Sequence, residues 1–194
     1  MIAQETSIPG ALILRAAPDP DNRGSSTQLL DTRAFEAATG RPMFRIEQLF
    51  HGRSRAGVLR GLHFTTGAGG SEKIVFCMGG EALDVLVDLR PGSPAFGRYE
   101  TVRLVGDGAT GVYFPPGVGH AYMALADDTV ICYLLSNPYV PEREVAVDPL
   151  DPDLALPWPG EPTAMSQRDL QGLAFRDPAA RESFLPYVEK GART

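Results

Sequence analysis

Histidine is scarce in this chain of 194 residues, and two of its three histidines follow glycine-containing turns. His63 ends the sequence GVLRGLH and His120 ends the sequence PGVGH, whereas His51 has no such context. An imidazole group near neutral pH serves as a general acid, a general base or a metal ligand. The two histidines therefore predict a site for proton transfer or for a metal ion.

The spacing around both histidines resembles the two halves of the cupin signature, whose metal-binding members carry two histidines one residue apart in the first half. Here Thr65 stands in place of the second histidine, and the next acid, Glu72, lies beside Lys73. A zinc or iron ion held by His63, His120 and an acid stays open, since both metals accept imidazole and carboxylate ligands. The incomplete ligand set favours acid–base chemistry.

Short apolar runs, punctuated by 21 glycines and 17 prolines, surround the histidines. This pattern favours many short strands over long helices, and strands at this spacing indicate a sandwich or barrel. Turns at Gly79-Gly80-Glu81 and at Asp127-Asp128 lie between apolar runs and predict two β-hairpins. The runs are Ile74–Met78, Ala82–Leu89, Tyr99–Val105, Gly111–Phe114, Ala121–Leu125 and Thr129–Leu135.

The two ends of the chain differ from its middle. Residues 16–26 are polar and rich in turn formers, and residues 137–163 carry many prolines and acids, which predicts an extended segment over the surface. A short helix is predicted from Ser166, and Pro178–Lys190 has room for another. We expect one domain over residues 1–194, with a barrel core at roughly 40–145 and arms at both ends.

Composition restricts the partners. With 18 basic and 24 acidic residues the net charge is −6, which would repel nucleic acid, and an anionic small ligand would need a local cationic pocket. We expect no membrane partner, because no stretch approaches the ~20 apolar residues of a membrane span, and residues 1–5 do not resemble a signal peptide. Cys77 and Cys132 lie in apolar runs and predict small buried side chains, which suits the cytoplasm.

The motif GVLRGLHF at Gly57–Phe64 resembles the dTDP-4-dehydrorhamnose 3,5-epimerases. The match covers most of residues 20–170, and its other motifs follow in the same order: EKIVFCMGG around Lys73, DVLVDLRPGSP at Asp84–Pro94, PGVGH at Pro116–His120, YLLSNPYVPERE from Tyr133, DLALPWP before Gly160, and Ser166–Asp169. The resemblance implies an all-β, cupin-type jelly-roll barrel with short C-terminal helices. It also implies an isomerase without metal or other cofactor, a dTDP-sugar substrate and a homodimer.

Inverting a carbon beside a ketone requires a base, a group that stabilises the enolate, and an acid on the opposite face of the sugar. The resemblance implies that His63 is the base, that Lys73 stabilises the enolate oxygen, and that Tyr133 is the acid. It implies that Asp169 holds the imidazole in one tautomer. The residues implied to bind the substrate are Arg23, Arg60, His120, Tyr139 and Glu144.

Structural roles compete with some of these functions. Ser166 and Asp169 also form a helix-capping pair, Tyr133 lies in a strong strand pattern, and Arg23 has the context of a turn residue. Lys73 precedes an apolar run, where strand-edge lysines are common.

The chain departs from the family pattern around the catalytic set. Ser26 and Gln28 replace an aromatic residue and a glutamate, Phe50 and Gly52 replace an asparagine and a serine, and Thr65 replaces a glutamine. This predicts a retained catalytic set inside an altered substrate-binding shell, and it leaves open whether C3, C5 or both carbons are inverted. Two other functions stay open: a metal-dependent cupin oxygenase, and a cupin that binds sugar nucleotides without catalysis.

Overall fold

Two antiparallel β-sheets face each other and enclose the core in this computed structural model, which describes residues 1–67, 69–106 and 109–189. The elements in chain order are β1 (Ile2–Glu5), β2 (Leu12–Arg15), β3 (Asp19–Asp21), β4 (Gly24–Ser26), α1 (Thr32–Thr39), β5 (Gln48–Ser54), β6 (Leu59–Thr65), β7 (Lys73–Gly79), β8 (Glu81–Asp88), β9 (Tyr99–Val105), β10 (Thr110–Phe114), β11 (Val118–Ala124), β12 (Thr129–Leu135), β13 (Glu144–Ala146), α2 (Gln167–Leu170) and α3 (Pro178–Ser183).

One sheet has six strands in the order β1-β2-β10-β7-β12-β5, and the other has five in the order β13-β6-β11-β8-β9. A separate two-stranded sheet consists of β3 and β4. Strands that follow each other in sequence alternate between the two large sheets over much of the chain, as in a jelly roll. The predicted all-β jelly-roll barrel with short C-terminal helices is confirmed.

Both predicted hairpins are wrong, although both turns exist. β7 lies in the six-stranded sheet and β8 in the five-stranded sheet, so the turn at Gly80 carries the chain across the core. The turn at Asp127-Asp128 carries it back from β11 to β12 in the same way. A turn between two apolar strands has the same residues whether the strands pair side by side or face each other, so the local sequence does not distinguish the two.

The core forms where the inner faces of the sheets meet. Val75 and Ile131 from one sheet and Leu86 and Leu104 from the other are fully buried in one cluster. Burial of a side chain of this size contributes about 1.5–3 kcal/mol. Cys77 belongs to the same cluster, as predicted, whereas Cys132 is half-buried.

The ends of the chain contribute more to the sheets than expected. β1 and β2 extend the six-stranded sheet where an N-terminal arm was expected, and β2 pairs with β10. Helix α1, which was not predicted from the sequence, begins after the N-cap Asp31 and ends before the C-cap Gly40. Helix α2 follows Ser166 as predicted. Helix α3 ends at Ser183, and the predicted endpoint Lys190 lies outside the described residues.

Strand β6 approaches β11 closely at Gly61, two residues before His63. Gly61 has a φ of +113°, and a Cβ atom there would lie 2.6 Å from the carbonyl oxygen of His120 and 2.6 Å from Cβ of Ala121. The same strand pair places His63 directly opposite His120. Glycine at position 61 therefore allows the register that brings the two histidines together.

Replacing Gly61 by alanine should lower the free energy of unfolding by at least about 1–3 kcal/mol, because the backbone conformation and the close contact both exclude a Cβ atom. Urea denaturation measures this change. Gly160→Ala is the matched control, since a Cβ there would meet nothing within 4 Å, and it should change stability by less than about 0.5 kcal/mol. Equal effects of the two substitutions would contradict this account of the close approach.

Candidate active site

A cavity of about 460 Å³ is lined by side chains from both large sheets and from the first residues of α2. Eight of the nine site residues predicted from the sequence line it: His63, Tyr133, Asp169, Lys73, Arg60, His120, Tyr139 and Glu144. The fold thus brings together residues that are up to 109 positions apart in the sequence, from Arg60 to Asp169.

His63 and Asp169 form a hydrogen-bonded pair in this cavity. Nε2 of His63 lies 2.5 Å from Oδ1 of Asp169, whose other carboxylate oxygen accepts a hydrogen bond from the Gly61 N–H at 3.4 Å. Ser166 caps α2 by accepting a hydrogen bond from the backbone N–H of Asp169. The capping role and the pairing with His63 therefore coexist, because the cap uses the backbone of Asp169 and leaves its carboxylate to the imidazole.

The electrostatic environment keeps Asp169 ionised. Burial by itself raises the pKa of this carboxyl group, but the hydrogen bonds from His63 and from its helix cap and Gly61 outweigh burial and leave the pKa below its ordinary value. Only 2% of the Asp169 side chain is exposed, whereas 29% of the His63 side chain remains accessible from the cavity. The carboxylate thus orients an imidazole that remains partly accessible.

A second histidine–carboxylate pair lies beside the first. Nε2 of His120 is 2.7 Å from Oδ2 of Asp84, and the Asp84 side chain is fully buried. Its Oδ1 atom has no hydrogen-bond partner among the described residues. Asp84 begins the motif DVLVDLRPGSP, but no role was predicted for it, although an acid in the middle of an apolar strand is an unusual feature that requires a polar partner.

Lys73 and Glu144 form a buried ion pair at another wall of the cavity. The Lys73 Nζ atom is 3.3 Å from Oε2 of Glu144, and the hydroxyl of Thr65 donates a hydrogen bond to Oε1 of the same carboxylate. Burial lowers the pKa of Lys73, and the charge of Glu144 opposes that shift. Thr65, which stands where a metal-binding cupin would have a histidine, thus supports this ion pair.

Tyr133 is held between two rings. The Phe50 ring stacks on it with centroids 4.7 Å apart and an interplanar angle of 9°, and the edge contact with His120 has a centroid distance of 5.9 Å. Burial raises the pKa of Tyr133 well above its ordinary value of 10.0, and Tyr122 and Asp84 raise it further. The phenol is therefore protonated at neutral pH and can donate a proton into the cavity.

The two arginines among the lining residues provide the cationic pocket that an anionic ligand needs in a protein of net charge −6. Nε of Arg60 donates a hydrogen bond to Oγ of Ser54 at 3.0 Å. Arg168 donates a hydrogen bond to the hydroxyl of Tyr139 at 2.8 Å. Guanidinium groups held in this manner are suited to phosphate oxygens.

Arg23 does not line the cavity of this chain, so its role in substrate binding stays a prediction. It follows β3 in the small exposed hairpin, pairs with Asp21, and has 85% of its side chain exposed. Lining residues that received no functional role from the sequence are Gln48, Tyr122, Leu135, Ser166 and Arg168, while Phe50 and Gly52 were predicted only as part of an altered substrate-binding shell. Residues 48, 50 and 52 alternate along one strand and so share a face, but recognising that face required knowing that β5 borders the site.

Comparison with known proteins identifies the family. The family model of dTDP-4-dehydrorhamnose 3,5-epimerase matches residues 5–177. The chain belongs to this family. A dTDP-4-dehydrorhamnose 3,5-epimerase of Streptomyces griseus is 38% identical over 95% of this chain and 91% of that protein. A dTDP-4-dehydro-6-deoxyglucose 3-epimerase of a Streptomyces species is 40% identical over 84% of this chain and 83% of that protein.

Solved structures agree with this family assignment. The RmlC epimerase of Mycobacterium tuberculosis has a TM-score of 0.91 at 35% identity and covers 96% of this chain and 94% of that one. ChmJ, a 3'-monoepimerase of Streptomyces bikiniensis solved with dTDP-quinovose, has a TM-score of 0.89 at 36% identity and covers 95% and 93%. As a member of the family the chain is an epimerase, an enzyme of the isomerase class. Membership favours this function over the oxygenase and the non-catalytic alternatives.

Within residues 1–67, 69–106 and 109–189, no three His, Cys, Asp or Glu side chains are arranged to hold a metal ion. In the same part of the chain, no helix is long and apolar enough to cross a membrane.

The pKa of Asp169 predicts a pH-dependent contribution to stability. Because the folded-state pKa lies below the ordinary value of 3.8, the carboxylate stabilises the fold above about pH 4, and this contribution is lost as the pH falls through the folded-state pKa. Asp169→Asn should therefore lower the free energy of unfolding by about 1.5–3 kcal/mol at pH 7, and by clearly less at pH 3. Urea denaturation at both values measures the difference. The exposed Asp19→Asn variant should show no such trend, and an unchanged deficit at pH 3 would refute the prediction.

Proposed function

We propose that this cavity inverts one or both carbons that flank the C4 ketone of a dTDP-4-keto-6-deoxyhexose, in deoxysugar biosynthesis. The observation that carries the proposal is the arrangement of the His63–Asp169 pair and the protonated Tyr133 around one cavity of suitable size. The relatives support it, since their names describe 3-epimerases and 3,5-epimerases of dTDP-4-keto sugars.

In the proposed reaction His63 removes the proton from the carbon beside the ketone. Its Nε2 atom faces Asp169, which stabilises the imidazolium that forms and fixes the ring orientation. The partial exposure of His63 toward the cavity gives a sugar access to the opposite nitrogen. General bases of this kind contribute about 10²–10⁴-fold to rate.

Lys73 is the proposed partner of the C4 oxygen, where negative charge develops as the proton leaves. It enters the cavity as a buried cation already paired with Glu144, so little reorganisation accompanies the development of charge. The lowered pKa of Lys73 also makes its proton easier to share with an enolate oxygen. His120, held by Asp84, is proposed to contact the sugar beside it.

Tyr133 is the proposed acid that returns a proton to the opposite face of the carbon. Its raised pKa keeps the proton on the phenol until the enolate, a strong base, is present. Arg60 and Arg168 are proposed to bind the diphosphate, with Tyr139 toward the nucleotide end. Glu144, the ion-pair partner of Lys73, is proposed to lie beside the sugar.

Deuterium exchange tests the proposal directly. In heavy water, dTDP-4-keto-6-deoxyglucose incubated with the wild-type enzyme should acquire deuterium at C3, at C5 or at both, as observed by NMR. His63→Ala should lower the exchange rate at least ~10²-fold, because it lacks the base, and Tyr133→Phe should lower the rate of inversion by a similar factor, because it lacks the acid on the opposite face, while dTDP binding measured by calorimetry persists in both.

Two variants serve as matched controls for this experiment. His51→Ala removes an exposed histidine and Tyr99→Phe alters an exposed tyrosine, and neither residue lines the cavity. Both should exchange deuterium at the wild-type rate. The proposal fails if the wild-type enzyme introduces deuterium at neither carbon of any keto-sugar nucleotide.

We also propose that the enzyme is a cytoplasmic homodimer in which Arg23 reaches the cavity of the partner subunit. Arg23 matches a substrate-binding position of the family, yet in its own chain it projects from an exposed hairpin. In a two-fold symmetric dimer the same contact occurs twice, so the hairpin of each subunit would reach the cavity of the other subunit.

Subunit mixing tests the exchange. Arg23→Ala and His63→Ala variants should each be nearly inactive, but a refolded equimolar mixture should recover about a quarter of the wild-type rate, because half of the sites in the mixed dimers are intact. Sedimentation should give twice the 20.9 kDa mass of the chain. As a control, an Asp19→Ala variant is mixed with His63→Ala, which measures the loss of rate that dilution with inactive subunits causes. No recovery in the Arg23 mixture, or a monomer in sedimentation, would overturn the exchange.

A further inference from the structure

The proposed acid must point its hydroxyl group at the sugar, and the strand that carries it does not determine this direction. Tyr133 lies on β12, and a tyrosine in a strand has two common χ1 rotamers. It lines the cavity, so the open space beside its ring leaves room for more than one orientation. Contacts with neighbouring side chains therefore select the orientation in which the phenol can act.

Phe50 is well placed to select it. This residue lies on β5, at the edge of the six-stranded sheet, directly opposite Tyr133. The two rings are parallel to within 9° and their centroids are 4.7 Å apart, whereas His120 meets the Tyr133 ring at an angle of 79°. Facing aromatic rings on paired strands attract each other beyond the area that they bury. Phe50 thus fixes the plane of the phenol ring.

Phe50 is itself supported from the proposed nucleotide end of the cavity. The Tyr139 ring lies 6.4 Å from the Phe50 ring at an angle of 56°. The backbone N–H of Tyr139 donates a hydrogen bond to Oε1 of Gln48 at 2.5 Å, and its hydroxyl accepts one from Arg168 at 2.8 Å. Tyr139 is therefore fixed at its backbone and at its hydroxyl, and Phe50 contacts both Tyr139 and Tyr133.

Positions 50 and 52 of β5 share the face that lines the cavity. The family pattern has an asparagine and a serine there, whereas this chain has Phe50 and Gly52. A Cβ atom at position 52 would lie 3.8 Å from the hydroxyl of Tyr122, so the position has room but no side chain. The ring of Phe50 is therefore the side-chain contact that these two positions offer to Tyr133.

We propose that Phe50 is a positioning residue that holds the phenol of Tyr133 against the carbon being inverted, and that it thereby controls how often the enolate is protonated on the opposite face. This role rests on the proposed epimerase function. Phe50 acts through Tyr133, and the proton transfer to His63 does not depend on it.

Both fates of the sugar start from the same enolate. Removal of a C–H proton by His63 leaves an enolate and an imidazolium. If the imidazolium returns a proton, a C–H bond forms on the original face and the starting configuration is restored. If Tyr133 donates, its O–H bond breaks, a C–H bond forms on the opposite face, and an inverted sugar and a phenolate result. Solvent then restores the phenol and accepts the proton of the imidazolium.

The ratio of the two fates tests the role of Phe50. Each enzyme reacts with dTDP-4-keto-6-deoxyglucose in heavy water, borohydride stops the reaction at low conversion, and NMR separates deuterated sugar of inverted configuration from deuterated sugar of retained configuration. Phe50→Leu keeps an apolar side chain but removes the flat ring. Its ratio of inverted to retained sugar should fall about 3- to 10-fold, as expected for the loss of one aromatic pair. Only folded enzyme forms the enolate, so partial unfolding does not change the ratio.

Two further variants serve as controls. Phe50→Tyr keeps the stacked ring and should show the wild-type ratio. Leu49→Ala is the matched control on the same strand, because Leu49 is exposed and does not line the cavity. It should also show the wild-type ratio.

A double variant distinguishes positioning of the acid from a direct effect on the sugar. Because Phe50 acts through the Tyr133 hydroxyl, adding Phe50→Leu to Tyr133→Phe should leave the ratio of Tyr133→Phe unchanged. A further fall in the double variant would show that Phe50 orients the sugar, and would overturn the proposed role.

The remaining outcomes separate this role from the proposed function. A wild-type ratio in Phe50→Leu overturns the role of Phe50 while the epimerase function stands, and so does an equal fall in Phe50→Leu and Phe50→Tyr. If the wild-type enzyme introduces no deuterium into any keto-sugar nucleotide, the proposed function itself fails.

Discussion

The hydrogen bond between His63 and Asp169 joins an interior strand of the five-stranded sheet to a helix more than a hundred residues later, and the arrangement of the site depends on it. The segment after β13 is laid along β6 by backbone hydrogen bonds: Leu62 and Val147 exchange a pair, and Leu59 donates to the carbonyl of Ala164. The short helix α2 then begins at Ser166 with its third helical residue facing the imidazole. A helix of four residues has little stability of its own, so this docking determines where the carboxylate lies.

Buried carboxylates recur as partners of the functional cations and bases. Asp169 orients His63, Asp84 orients His120 and Glu144 holds Lys73, and each of these acids is almost fully buried. Pairing within a protein interior limits the cost of burying each charge. Because these acids are paired inside the protein, the positive charge of the cavity wall comes from its arginines. An acidic protein can therefore present a cationic pocket to an anionic ligand.

The sequence was most informative about the site residues whose chemistry requires one particular residue type at a fixed position in a motif. His63, Lys73, Tyr133 and Asp169 line one cavity because motif spacing reflects a shared fold. It was less informative about turns between apolar strands, whose residues are the same for side-by-side and face-to-face strands. It also did not place Tyr122 at the cavity, because a tyrosine in a buried strand looks like core until the neighbouring strands are placed beside it. Arg23 shows a further limit, since a motif identifies a position without saying which copy of the chain it serves.

The turns that cross between the sheets have a consequence for biosynthesis. Because successive strands enter opposite sheets, β2 near residue 15 can pair at once with β1 but meets its second neighbour only when β10, near residue 110, has emerged from the ribosome. Folds dominated by such distant pairings form slowly, because a large loop must close before its contacts stabilise it. One edge of β2 therefore stays unpaired through more than half of translation, which exposes the nascent chain to aggregation at that edge.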